Sequence, residues 1–129
     1  MKASIRKEVF EKFGGKCAYC GCDLMKGWHV DHLKPVLRAH KFNYEKRRME
    51  QTKTMYNPQN DVIENYNPSC ASCNIQKNSY SIEEFRSNIK HFIKSLNNHS
   101  TQYKFAKRYG LVEEKEVEVK FYFETQTPC

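Results

Sequence analysis

A chain of 129 residues can build one domain around one modest hydrophobic core. Hydrophobic residues make up 39% of it and charged residues 29%, and no apolar run approaches the roughly 18 residues of a membrane-spanning helix. The charged N-terminus lacks the apolar stretch of a secretory signal, which predicts an intracellular, cytoplasmic protein whose cysteines stay reduced.

The net charge of +7 favours a polyanionic partner, and the charge is unevenly placed. Residues 33–60 contain seven Lys or Arg against two Asp or Glu, whereas residues 113–129 contain two against five. The middle of the chain is therefore the predicted nucleic-acid contact surface, although basic stretches of this kind also occur as plain solvated surfaces.

The first elements along the chain have clear boundary signals. Apolar residues at helical spacing predict a helix over residues 4–13, with Ser4 as its N-cap and Gly14-Gly15 at its end. A short strand is predicted over residues 28–31.

The middle of the chain is less regular. Residues 36–60 predict a long loop with a short helix of its own. Residues 65–69 predict a second loop, in which Ser69 is a candidate helix cap. A helix is then predicted from about Cys70 to Asn78.

The C-terminal third predicts two helices and a strand. Ser81 caps the first helix, whose apolar residues recur at helical spacing and are expected to pack in the core. These residues are Ile82, Phe85, Ile89, Phe92, Ile93 and Leu96. A shorter helix is predicted over residues 102–109, and the alternation over residues 117–124 predicts a half-buried strand. Residues 81–129 are thus expected to form a C-terminal extension packed on a core domain of residues 1–80.

Two Cys-x-x-Cys pairs lie far apart in the sequence. Two residues between paired cysteines let both sulfurs reach one ion from a tight turn, and four thiolates close a tetrahedral zinc site with no open position for substrate. The predicted ligands of this structural zinc clamp are Cys17, Cys20, Cys70 and Cys73. Cys22 is a competing ligand, and Cys129 is predicted to be an exposed free thiol.

An Asp31-His32 dipeptide lies between the two cysteine pairs. The carboxylate suits Mg²⁺ or Mn²⁺, and the imidazole titrates near neutral pH, as a general base should. Neighbours in a strand point to opposite faces, so both side chains meet one substrate only where the strand bends or ends. Pro35 is compatible with such an end. Alone, the dipeptide is more often an ordinary surface pair, but its place between the cysteine pairs favours catalysis.

The motifs follow one another as Cys17-x-x-Cys20, Val30-Asp31-His32-x-x-Pro35, Glu64-Asn65, Cys70-x-x-Cys73-Asn74 and Lys77. In order and adjacency they resemble the zinc-containing branch of the HNH endonucleases over residues 6–80. The resemblance implies an α+β fold with a ββα-metal, treble-clef-like core, in which a hairpin is followed by a helix. Flanking helices and a C-terminal strand would surround this core, and residues 33–60 would be a basic insertion.

The resemblance also implies roles for individual residues. His32 would be the general base that activates water, and Asp31 and Asn74 would hold a catalytic Mg²⁺ or Mn²⁺. Asn65 would hold the His32 ring in its working orientation through its side chain or its backbone. The rivals for that middle position are Asn60 and Asn67.

The expected function is metal-dependent hydrolysis of double-stranded DNA, leaving 5′ phosphate and 3′ hydroxyl ends by resemblance. Phosphate contacts are expected from Lys77 and from basic residues of the insertion. The insertion residues are Lys34, Arg38, Lys41, Lys46, Arg47 and Arg48. A homodimer would place two sites on opposite strands. Rival functions are a catalytically inactive, zinc-stabilised DNA-binding module, and an RNA-directed nuclease or protein-interaction zinc module.

Overall fold

The computed structural model describes residues 1–126 of the chain, so Cys129 lies outside the described residues. The helices are α1 (Ala3–Glu11), α2 (Ala71–Lys77), α3 (Ile82–His99), α4 (Thr101–Arg108) and α5 (Tyr122–Thr125). The strands are β1 (His29–His32), β2 (Arg38–Asn43), β3 (Arg48–Met55) and β4 (Tyr66–Ser69). The fold is therefore a small mixture of helices and short antiparallel strand pairs. Within residues 1–126, no helix is both long and apolar enough to cross a membrane.

β1 and β4 form one antiparallel sheet, and α2 follows β4 directly. Asp31 lies opposite Asn67, and His32 lies opposite Tyr66. The loop predicted over residues 65–69 is therefore wrong, because this segment is the second strand of the sheet. Its Asn and Pro residues are local turn signals, but α1 packs on the strand and pairing with β1 satisfies its backbone.

β2 and β3 form a second antiparallel hairpin, which pairs with no other strand of the described chain. Phe42 lies opposite Met49, and Asn43 Oδ1 accepts a hydrogen bond from Lys46 N (3.0 Å) in the connecting turn. The long loop predicted for residues 36–60 is thus wrong over the hairpin, while the short helix expected in this range is present as a 3-10 turn over Pro58–Asn60. Most side chains of the hairpin are exposed on both faces, so no apolar alternation marks its strands in the sequence.

The predicted helix caps have mixed outcomes. Ser81 caps α3 as predicted, accepting a hydrogen bond from the backbone at the start of the helix (3.2 Å). The caps predicted at Ser4 and Ser69 are wrong, since Ser4 lies inside the first turn of α1 and Cys70 takes the cap position of α2. Cys70 Sγ accepts a hydrogen bond from Cys73 N (3.4 Å).

The second half of α3 extends beyond the core. Phe85 is buried, whereas Phe92, Ile93 and Leu96 are exposed, so the prediction that the whole apolar face packs in the core is wrong. The segment that runs alongside this face, residues 114–119, is separated from it by an open cleft of about 940 Å³. Ile89 still packs against the core cluster, so the unpacked part of the apolar face begins at Phe92.

The predicted strand over residues 117–124 is absent from the described residues. Residues 113–120 are irregular, and a short helix, α5, begins at Tyr122. The apolar alternation does not mark a continuous buried face, because Phe121 is 2% exposed while Val117 is 73% exposed. Phe121 is the buried anchor of this part of the chain, and Val119 and Phe123 pack around it without forming a strand.

The C-terminal segment is held by side-chain and backbone bonds to two other parts of the chain. Tyr122 N donates to Tyr19 O (2.9 Å), between the first two cysteines. Arg86 of α3 donates to Val119 O (2.5 Å) and forms an ion pair with Glu124 (2.7 Å). These bonds take the place of a sheet ladder for this segment.

The core is an aromatic cluster between the first cysteine pair, α3 and the C-terminal segment. Tyr19 packs edge-to-face on Phe85 and on Phe121, with ring centroids 5.9 Å apart in each pair. Phe85 and Phe121 stack on each other at 5.1 Å. Cys17 and Leu24 complete the buried cluster, so the cysteine turn is itself part of the core.

We expect Phe121→Ala to lower the free energy of unfolding by about 3–5 kcal/mol, because it leaves a cavity in the aromatic cluster and releases the C-terminal anchor. Urea denaturation measures this change. Val117→Ala, in the same segment but exposed, should stay within about 0.5 kcal/mol of the wild type. Equal stability of the two variants would contradict the anchoring role of Phe121.

Candidate functional site

Four cysteine sulfurs form a compact cluster. The ligand atoms of this group all lie within 4.8 Å of one another, and its members are Cys17, Cys20, Cys70 and Cys73. Two sulfurs bound tetrahedrally at about 2.3 Å from zinc are about 3.8 Å apart. The distance between Cys20 Sγ and Cys70 Sγ is 3.8 Å, so the cluster can hold a metal ion such as zinc. Within residues 1–126, no other group of three or more His, Cys, Asp or Glu has its ligand atoms close enough together to hold a metal ion.

A tight turn presents the first cysteine pair. Cys17 N donates to Cys22 O (2.8 Å), and the turn passes through Gly21 with a φ of 76°. A Cβ at Gly21 would lie 2.9 Å from a ring carbon of Tyr122, so the turn requires glycine for its conformation and for the close approach of α5. Cys22 Sγ lies 3.2 Å from Cys20 Sγ, next to the cluster but not within it.

The second pair comes from the start of α2, where backbone amides point at sulfur. Cys70 N donates to Cys17 Sγ (3.3 Å), joining residues far apart in the sequence. The hydrogen bond with the Cys73 thiol, helped by backbone amides, lowers the pKa of Cys17 to about 4. Cys17 is therefore a thiolate at neutral pH, which is the form that binds zinc.

Asp31 lies on β1 in a buried ion pair. Its side chain accepts a hydrogen bond from the Tyr19 hydroxyl, and its Oδ2 is 3.1 Å from Lys77 Nζ. Burial and the Asp31 charge raise the pKa of Tyr19, so it stays a donor. Asp31 is 8% exposed and Lys77 is 0% exposed. Among the described residues, no hydrogen bond engages the other carboxylate oxygen, Oδ1.

The predicted phosphate contact from Lys77 is wrong, because its ammonium group is fully buried. Lys77 Nζ also donates to His32 O (2.8 Å), so this side chain crosses from α2 to the backbone of β1. Its role is internal: it neutralises Asp31 and fixes the helix against the strand.

His32 ends β1 and has a carboxylate partner that the sequence motifs did not indicate. His32 Nε2 lies 2.8 Å from Asp61 Oδ1, which also accepts a hydrogen bond from Tyr66 OH (2.7 Å). The hydrogen bond with His32, followed by that with Tyr66, lowers the pKa of Asp61 below its usual range. The Tyr66 ring packs edge-on against the His32 ring at 5.2 Å. Asp61 is therefore placed to orient the His32 ring.

Asn65 does not hold the His32 ring, and the expectation that its side chain or backbone does so is wrong, since its backbone oxygen accepts from Leu33 N (2.9 Å). Its side chain bonds to both backbone groups of Lys34 (2.9 and 2.8 Å) and to Asn60 O (2.8 Å). Its effect on the site is indirect, since it fixes the loop that follows β1. The rival residues have other partners: Asn60 Nδ2 donates to Pro35 O, and Asn67 Oδ1 accepts from Lys12 Nζ.

Asn74 lies half-buried on α2, one helical turn before Lys77. α2 packs against β1, so Asn74 shares its helix with the partner of Asp31. In the part of the chain that the structure describes, no hydrogen bond joins Asn74 to Asp31. The fold therefore brings Asp31, His32 and Lys77 into direct contact and leaves Asn74 as a neighbour.

Apart from Lys77, the predicted nucleic-acid-binding residues lie on the loop after β1 and on the β2–β3 hairpin. Arg38 is close enough to Asp61 for its charge to help lower the pKa of that carboxyl. Lys34 is exposed on the loop after β1. The others are exposed on the hairpin: Lys41, Lys46, Arg47 and Arg48.

Asp61 carried a weak sequence signal. It is an acidic residue in a polar stretch after a Pro turn, and only the bond across 29 residues to His32 gives it a role. The arrangement as a whole offers a histidine with a carboxylate partner, a buried carboxylate with one oxygen not engaged by the described residues, and a cluster of four cysteines that could hold a metal ion. No protein-family model, curated protein or solved structure matches this chain.

We expect the protein purified without added metal to contain about one zinc ion per chain. Cys73→Ser should remove the zinc, because it deletes one of four ligands, and elemental analysis measures the loss. Cys22→Ser is the matched control, since this thiol lies beside the cluster but outside it. Zinc loss from the Cys22 variant with retention by the Cys73 variant would reverse the ligand assignment.

We expect Lys77→Met to lower the free energy of unfolding by about 3–5 kcal/mol, because it leaves the Asp31 carboxylate buried without its cation. Denaturation in urea measures this. The double variant Asp31→Asn with Lys77→Met should lose less stability than Lys77→Met alone. An unchanged free energy of unfolding for Lys77→Met would show that the ion pair contributes nothing to the stability of the fold.

Proposed function

We propose that this protein is a metal-dependent endonuclease of the HNH type that hydrolyses phosphodiester bonds in DNA. The observation that carries the proposal is the His32–Asp61 hydrogen bond at the end of β1. It gives the candidate base an oriented ring within a unit of strand, strand and helix that also presents the second cysteine pair. The element order β1, β4, α2 agrees with the ββα arrangement expected from the sequence motifs.

His32 would take the proton from the attacking water. Its Nε2 is occupied by Asp61, so Nδ1 is the ring nitrogen that would take the proton. The Asp61 carboxylate would stabilise the imidazolium that forms once the proton is transferred. The hydroxide would attack phosphorus in line with the departing 3′ oxygen, so the products carry 5′ phosphate and 3′ hydroxyl ends.

Asp31 and Asn74 are the residues that would hold the catalytic cation. When bound, a divalent ion such as Mg²⁺ or Mn²⁺ neutralises charge on the phosphate and on the leaving oxygen. The residues present fit such an ion in one respect: Asp31 Oδ1 is not engaged within the described residues, while Oδ2 is bonded to Lys77. Because Lys77 already supplies one positive charge, this carboxylate would hold a cation more weakly than an unpaired one.

The burial and pairing of Asp31 favour a second function, a zinc-stabilised DNA-binding module without catalysis. Asp31 is 8% exposed and is bonded to both Tyr19 and Lys77. In that case Asp31 serves the fold alone. The basic residues outside the core would still bind phosphates, and binding would weaken steeply with salt in either case.

We expect His32→Ala to slow the nicking of supercoiled plasmid in Mg²⁺ or Mn²⁺ by at least about 10²-fold, because it removes the general base. The variant should remain folded, and its zinc content and DNA binding should stay largely intact. His91→Ala, an exposed histidine on α3, is the control and should cleave at the wild-type rate.

Full cleavage by the His32 variant would remove His32 from the mechanism. DNA binding by the wild type without cleavage in either metal would favour the binding module. Cleavage of RNA but not of DNA would replace the proposed substrate.

A further inference from the structure

The β2–β3 hairpin is an arm that rises from the candidate catalytic site. It begins six residues after His32 and ends six residues before Asp61, and the bond between these two residues ties its ends together. Tyr56 N donates to Leu37 O (2.7 Å) and closes the base. A nucleic acid held by this arm would therefore lie next to His32.

One face of the arm carries an exposed apolar patch, next to the polar pair His40 and Gln51. Phe42 and Met49 are directly opposite each other, so their side chains share this face, and both are exposed. Tyr44 extends it into the turn, with its ring centroid 4.9 Å from that of Phe42 and an edge-on angle of 80°. Tyr44 is 83% exposed. A strip of this kind, in a strand pair with no core of its own, indicates a binding surface.

The opposite face of the arm is polar and basic. Glu50 accepts hydrogen bonds from Asn43 (3.1 Å) and Arg48 (3.1 Å), pairs with Lys46 (3.6 Å), and lies opposite Lys41. Over residues 38–55 there are six Lys or Arg against two Glu, an excess of +4. This excess favours a polyanionic occupant over an uncharged protein surface.

We infer that the β2–β3 arm binds DNA that contains unpaired bases, with its basic residues on phosphates and the rings of Phe42 and Tyr44 stacked on bases. This inference rests on the proposed function and names the substrate class. In an intact duplex only base edges are reachable in the grooves, where an aromatic ring can touch a thymine methyl group but cannot stack on a base face. Unpaired or unstacked bases expose their faces, on which aromatic side chains stack.

The test compares two labelled DNA duplexes, one fully matched and one with a short unpaired bulge. Binding is measured by fluorescence anisotropy without added divalent cation. The wild type should bind the bulged duplex on the order of tenfold more tightly, and Tyr44→Ala should remove most of that preference. The loss should fall on the bulged duplex alone, since stacking contributes little on matched DNA.

Two control variants separate stacking from charge and from general effects. Tyr109→Ala removes a tyrosine that is 78% exposed at the end of α4, and it should bind like the wild type. The double variant Lys46→Ala with Arg47→Ala should weaken binding to both duplexes equally and flatten the salt dependence. Because Tyr44 is almost fully exposed, its removal should leave the unfolding curve and the zinc content unchanged.

The inference is overturned if the wild type binds both duplexes equally, binds neither, or if Tyr44→Ala behaves like Tyr109→Ala. Plasmid nicking by the wild type is read separately. Nicking without a preference for the bulge would refute the inference and leave the nuclease intact. A preference that depends on Tyr44, without any nicking, would refute the nuclease and keep the DNA-binding arm.

Discussion

The buried contact among Tyr19, Asp31 and Lys77 connects every part of the fold that bears on function. A carboxylate and an ammonium group without solvent are costly unless they are paired, so Asp31 and Lys77 must meet, and their meeting fixes α2 against β1. Tyr19 adds the turn that carries the first cysteine pair. Since α2 carries the second pair, the same contact brings the four sulfurs together from segments about 50 residues apart in the sequence.

The small core explains why such polar and thiolate links are needed. The aromatic cluster around Tyr19 is completed from outside, by Phe85 of α3 and Phe121 near the C-terminus. Arg86 fastens that last segment through a backbone carbonyl and Glu124. A chain of this length buries limited apolar surface, so cross-links between distant segments contribute a large share of its cohesion.

The position of Asp31 couples stability to the proposed chemistry. Its Oδ2 serves the fold through Lys77, and only Oδ1 is free of hydrogen bonds from the described residues. The backbone of His32, next in sequence, accepts a hydrogen bond from Lys77, but the His32 ring is oriented by Asp61 instead. In the proposed mechanism the base and the cation site are therefore built by different contacts, which allows a variant to lose one and keep the other.

Local signals in the sequence predicted the features that depend on neighbouring residues. The two cysteine spacings predicted one four-sulfur cluster, and Ser81 predicted the start of α3, because turn geometry and helix capping are set within a few residues. The caps expected at Ser4 and Ser69 show how easily such signals mislead when a neighbour competes for the position.

The tertiary structure alone decided what depends on distant partners. The sequence around Lys77 predicts an exposed lysine. The side chain is buried instead, because the buried carboxylate of Asp31, 46 residues earlier, requires a cation. Asp61 became the partner of His32, and residues 38–55 became a hairpin, through pairing across the chain that no local periodicity encodes. The alternation near Phe121 predicted a strand, but a strand needs an adjacent edge, and the described chain offers none there.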